Sequence, residues 1–115
     1  MTQAATVLLN FKDLPRDEEL REAIEDRCQN MAAEFGEVTR FEFTLAEDGA
    51  GFTVHGHVTG KNTDVGTQAA AEELGQAADR LLDRVERQLR RAHDKRIFAQ
   101  RRDAQRDPPK KKNQT

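Results

Sequence analysis

At 115 residues and 13.0 kDa, with no Trp or Tyr, the chain has room for one domain whose core must come from Phe, Leu, Val and Ala. The single Cys28 excludes an intrachain disulfide, no apolar run approaches the roughly 18 residues of a membrane span, and the N-terminus lacks a signal-peptide pattern, so a cytoplasmic protein is expected. The net charge of -2 conceals a division, since residues 1–79 hold 6 Lys/Arg against 16 Asp/Glu while residues 80–115 hold 13 against 5. That polarity suits an oriented approach to a polyanion, basic end first.

Thr6 to Phe11 is β-rich, with Val7 and Leu9 on one face and Leu8 on the other, and predicts a first strand. Pro15 ends it. Asp17 can accept from free amides at a helix start, and Glu18 and Glu19 suit the positive end of the helix dipole. Leu20, Ala23, Ile24, Cys28, Met31 and Phe35 then form a helical apolar stripe, which Gly36 is expected to close in a left-handed cap. The outer face of this helix is acidic, with Glu22, Glu25, Asp26 and Glu34 against Arg21 and Arg27.

Val38 to Leu45 alternates, Phe41, Phe43 and Leu45 against Arg40, Glu42 and Thr44, as a half-buried strand does. Asp48-Gly49 is a hairpin signal. Phe52 to Thr59 alternates again, with Val54, Gly56 and Val58 inward and His55 and His57 outward. Gly60-Lys61-Asn62 turns the chain into a weaker strand with Val65, Thr67 and Ala69 inward. Leu74 to Arg96 completes the pattern as one long helix, with an apolar edge of Leu74, Ala78, Leu81, Leu82, Val85 and Leu89. The order β-α-β-β-β-α, with one apolar face per strand and one apolar edge per helix, predicts an α+β domain with two helices packed on one face of a four-stranded sheet. The expected domain covers 1–98. Residues 99–115, ending in Pro, Lys, Asn and Gln, read as a disordered basic tail.

The last helix carries the strongest functional signal. Arg80, Arg84, Arg87, Arg91 and Lys95 recur at helical spacing on a face apart from the apolar edge. From Arg80 to Arg96 there are seven Arg/Lys and only Asp83, Glu86 and Asp94 to balance them. Asp83 with Arg87 and Glu86 with Arg90 are favourable four-residue pairs, but weak ones, so the face stays cationic. A solvated surface helix is the plain alternative; the imbalance of sign favours a ladder of phosphates over it, and an acidic protein partner stays open.

His55 and His57 share a strand face and His93 is the only other imidazole, which falls short of a supported metal site, so no metal or cofactor is expected. Cys28 lies on an apolar stripe, where a buried, inert thiol is the simpler reading. No phosphate loop, nucleophile elbow or triad spacing is present, and no enzyme or small-molecule substrate is expected.

Over residues 5 to 96 the element order and its closing basic helix resemble the ribosome hibernation promoting factor family, which includes the ribosome-associated inhibitor A proteins. The most specific stretch is Asp79-Arg80-Leu81-Leu82-Asp83-Arg84-Val85-Glu86-Arg87-Gln88-Leu89-Arg90-Arg91, similar to that family's closing-helix pattern. Leu14, Leu20-Arg21-Glu22 and Gly51-Phe52 also fit. The chain departs from it at Glu72-Glu73-Leu74-Gly75-Gln76, where a Tyr is usual, and in its acidic first helix, where Lys is usual. The resemblance implies a stress-response factor that occupies the decoding region of the small ribosomal subunit and inhibits translation, with ribosomal RNA as its ligand and neither DNA nor membrane as a partner. Carried over by position, Arg80, Arg84, Arg87, Arg90, Arg91 and Lys95 would bind RNA, with Arg21 a lesser candidate. The alternatives are a regulatory protein-interaction module, using Glu22, Glu25 and Asp26, or a non-ribosomal RNA-binding adaptor on the same fold. With the residues that follow Arg96 too few for the second, dimerising domain of the family's long form, a short-form member that does not itself drive ribosome pairing is expected.

Overall fold

A computed structural model describes residues 5–106, with the side chains of Arg96 and of residues 98–106 left aside. The elements are β1 (Thr6–Phe11), α1 (Glu18–Glu34), β2 (Val38–Asp48), β3 (Gly51–Gly60), β4 (Thr63–Ala71) and α2 (Leu74–Arg106). They form the expected α+β arrangement, a four-stranded sheet in the order β1-β2-β3-β4 with both helices on one face. β1 and β2 are parallel, joined through α1, because parallel neighbours need a crossover; the other two pairs are antiparallel hairpins.

Register aligns the inward residues in three rows across the sheet. These are Val7, Phe41, Val58 and Val65; Leu9, Phe43, Gly56 and Thr67; and Phe11, Leu45, Val54 and Ala69. The alternation of period two therefore delivers one continuous apolar floor. Ile24, Cys28, Met31 and Phe35 of the α1 segment and Ala77, Ala78, Leu81, Leu82, Val85 and Leu89 of α2 pack upon it. Gly56 has a packing reason to be glycine, since a Cβ there would stand 2.8 Å from the Phe43 ring and 3.0 Å from a Leu81 methyl.

Local signals behave mostly as expected. Asp17 caps α1 by accepting from the Leu20 amide at 3.1 Å. Gly49 has φ 65° in the β2–β3 turn and Asn62 has φ 56° in the β3–β4 turn, the left-handed region that both residue types tolerate. Gly36 differs from expectation: it is absent from the positive-φ residues, and α1 ends at Glu34 with Phe35 as its C-cap, whose amide donates to the Met31 carbonyl at 2.7 Å. Ala23 is exposed rather than part of the α1 stripe, whereas Ala77 of α2 is fully buried. α2 continues through Arg106, past the expected boundary at 98, and Leu89, the last buried residue among the described side chains, lies about 25 Å from the helix end at 1.5 Å per residue. The rest of the expected tail, residues 107–115, lies outside the described residues.

Cys28 is fully buried, and that burial pushes its thiol from an ordinary value of 9.0 up to about 12. Two outcomes are expected. The native thiol should react slowly with Ellman's reagent at pH 8 and rapidly once guanidinium unfolds the chain. Between about pH 9 and 12 the folded state holds a proton that the unfolded thiol has released, so stability is expected to fall as pH rises through that window. Equal reaction rates in native and denaturing buffer would contradict the packing.

Candidate nucleic-acid interface

At about 100° per residue, Arg80, Arg84, Arg87, Arg91 and Lys95 fall within roughly 80° of arc on α2, beside the buried edge. All five side chains are exposed. They do not form one uniform ladder. Arg80 Nη1 donates to the Ala70 carbonyl at 2.9 Å and Arg84 Nη1 to the Gln68 carbonyl at 2.6 Å, so both guanidinium groups lie along the outer edge of β4. Arg87, Arg91 and Lys95 have no partner among the described residues. Arg91 and Lys95, with Val65, Gln88 and Ala92, line an open recess of about 310 Å³ on the same side.

Arg90 faces the other way, toward α1. Its guanidinium lies 2.7 Å from Glu34 and 3.1 Å from Glu86, and stands 5.4 Å over the Phe35 ring. Hydrogen bonds to Glu34 and Glu86 hold this group above its ordinary pKa. Arg27 on α1 reaches back to Asp83 at 3.1 Å and Glu86 at 3.3 Å. The expected pair Glu86 with Arg90 is thus present, while Asp83 pairs with Arg27 rather than Arg87. Cation is matched by carboxylate across the seam between the helices, whereas Arg91 and Lys95, on the β4 side of α2, meet no carboxylate among the described residues.

Arg21 is held on its own helix by Glu18 at 2.9 Å and Glu25 at 3.3 Å. The outward face of the sheet carries His55 and His57; His57 Nε2 lies 2.6 Å from Asp64 Oδ1. His93 meets the edge of the Phe35 ring and lies 3.3 Å from Glu37. Among the described residues no three His, Cys, Asp or Glu side chains are grouped to hold a metal ion, and no helix is long and apolar enough to cross a membrane. Val65, expected only as an inward residue of the fourth strand, and Gln88, expected only as part of the closing-helix stretch, flank these cations as well. Gln88 is three residues before Arg91, so its spacing was the available signal; Val65 comes to the site only through the β4–α2 packing.

A mixed sheet in this order under two helices, with an exposed cationic edge on the closing helix, defines a small domain of the α+β class. Residues 7–97 match the model of the family described as sigma 54 modulation protein / S30EA ribosomal protein, and the chain belongs to this family of ribosome-associated hibernation and modulation factors. The fold is similar to that of a ribosomal subunit interface protein from Coxiella burnetii, at 16% identity and a TM-score of 0.66, covering 77% of this chain and 98% of that one. It is similar also to the N-terminal domain of Protein Y from Thermus thermophilus, at 19% identity and a TM-score of 0.65, again covering 77% and 98%. No curated protein matches the chain by sequence.

Proposed function

We propose that this chain is a cytoplasmic, non-catalytic hibernation factor that binds the small ribosomal subunit in its decoding region and blocks translation by occupancy. The observation that carries the reading is that the family match at residues 7–97 contains the whole cationic edge of α2. The name of the Coxiella burnetii relative, a ribosomal subunit interface protein, supports a ribosomal partner. In this reading Arg87, Arg91 and Lys95 meet ribosomal RNA phosphates first. Arg80 and Arg84 add contacts by turning from the β4 carbonyls to stronger, charge-assisted acceptors. Arg90 orients α2 against α1 and contributes to the RNA surface only through that placement. The residues after 98 form a basic extension that adds to the attraction.

Sucrose-gradient co-sedimentation with purified small subunits and with whole ribosomes, over a salt series and with free RNA as competitor, tests this reading. Binding to the small subunit is expected to weaken steeply with salt, with a log–log slope of roughly 0.7 to 0.9 per phosphate contact. Absence of binding to either particle at low salt would refute ribosome docking. Binding removed equally well by any RNA would favour the non-ribosomal adaptor instead.

A further inference from the structure

A second surface lies at the start of α2, away from the cationic edge. Leu14 and Pro15, Phe52 of β3 and Leu74 of α2 line an open recess of about 620 Å³, within the range of pockets that hold small ligands and single side chains. Leu14, Phe52 and Leu74 are half-buried and packed on the core, which fixes the apolar floor. Its rim carries Asp17, Glu18, Glu19 and Glu47, with Arg16 as the one cation of the lining. Arg16 is committed to Glu18 at 3.3 Å, Glu18 also takes a bond from Arg21 at 2.9 Å, and Asp17 is used by the α1 cap. Glu19 and Glu47 have no partner among the described residues and stand on different elements, one on α1 and one on β2.

An apolar floor inside a negatively charged rim selects for a ligand with the opposite arrangement. We propose that this recess is a docking site for a basic peptide segment carrying one large apolar side chain, such as Leu or Phe, between Lys or Arg residues. The apolar side chain fills the recess over Phe52 and Leu74, and the flanking cations meet Glu19 and Glu47. A nucleic acid is disfavoured there by the sign of the rim. From Leu74 to Arg87 the helix rises about 20 Å, and to Lys95 about 30 Å, so peptide and polyanion engage different ends of the domain and can be held together. The basic C-terminal residues of this chain, Lys110-Lys111-Lys112, lie in a stretch from 107 to 115 that has no large apolar residue, which argues for an occupant supplied by another chain.

The test uses the full-length protein, a fluorescein-labelled peptide of sequence Lys-Arg-Lys-Leu-Lys-Arg-Lys and its Gly-centred counterpart, followed by anisotropy and by amide NMR shifts. The Leu peptide is expected to bind on the order of tenfold more tightly than the Gly peptide, the increment expected for burying a Leu side chain. Shifts should centre on Leu14, Phe52 and Leu74. Glu19→Gln with Glu47→Gln, both exposed positions, should weaken the Leu peptide several-fold and leave co-sedimentation with ribosomes unchanged. Equal affinity of the two peptides, or shifts centred on Glu22 and Asp26 of the outer α1 face, would overturn the proposal. So would contacts in the free protein between the recess and residues 110–112, which would make the occupant the chain's own tail. Failure of ribosome binding leaves this result intact, and the reverse holds as well.

Discussion

Replacing Arg87, Arg91 and Lys95 together by Glu is expected to lower affinity for the small ribosomal subunit by on the order of a hundredfold or more near physiological salt, and to flatten the dependence on salt. The reason is geometric. These three side chains are exposed, lie on one side of α2, and are spent on no carboxylate among the described residues. Arg90→Gln is the informative control, because Arg90 is held by Glu34 and Glu86 and covers Phe35. It should leave ribosome binding near the parent value while lowering thermal stability slightly, since exposed ion pairs contribute little. Co-sedimentation and a thermal melt on the same preparations separate the two effects. If Arg90→Gln abolished binding and the triple variant kept it, the docking face would be the seam between the helices.

The second large effect concerns the contact that seats α2 on the sheet. Leu81→Ala is expected to cost about 2 to 5 kcal/mol, because Leu81 is 1% exposed and the rigid strands beneath it cannot close the cavity. Gly56→Ala should cost about 1 to 3 kcal/mol by overpacking, since the new methyl would lie 2.8 Å from Phe43 and 3.0 Å from Leu81. In the double variant the Leu81 clash disappears while the Phe43 contact remains. Urea unfolding should therefore give a combined loss smaller than the sum by about 1 kcal/mol. Strict additivity would mean that Gly56 and Leu81 do not share a contact in solution.

The fold was legible because period-two runs such as Phe41, Phe43 and Leu45 and period-3.6 runs such as Leu81, Leu82, Val85 and Leu89 encode which face is inward, and the register needs little else. Turn chemistry was legible at Asp48-Gly49, where a residue type is tied to a backbone region. It misled at Gly36, because Phe35 packs into the core and ends α1 before a left-handed cap is needed. For the interface, periodicity placed six cations on one helix but could not divide them. The partner that draws Arg90 away, Glu34, is 56 residues distant, and the partners of Arg80 and Arg84 are backbone carbonyls that every residue carries. The recess at Leu14, Phe52 and Leu74 was invisible for a related reason, since its lining comes from well-separated stretches of the chain.

The bonds from Arg80 and Arg84 to the β4 carbonyls carry a consequence of another kind. A sheet that ends in a bare strand offers a template on which a second sheet can grow, and Thr63–Ala71 is such an outermost strand. Here two of its outward acceptors are already occupied, each by a bulky cation that a like-charged copy would have to displace. Arg80 and Arg84 thus leave fewer free acceptors on β4 for edge-to-edge pairing with a second copy.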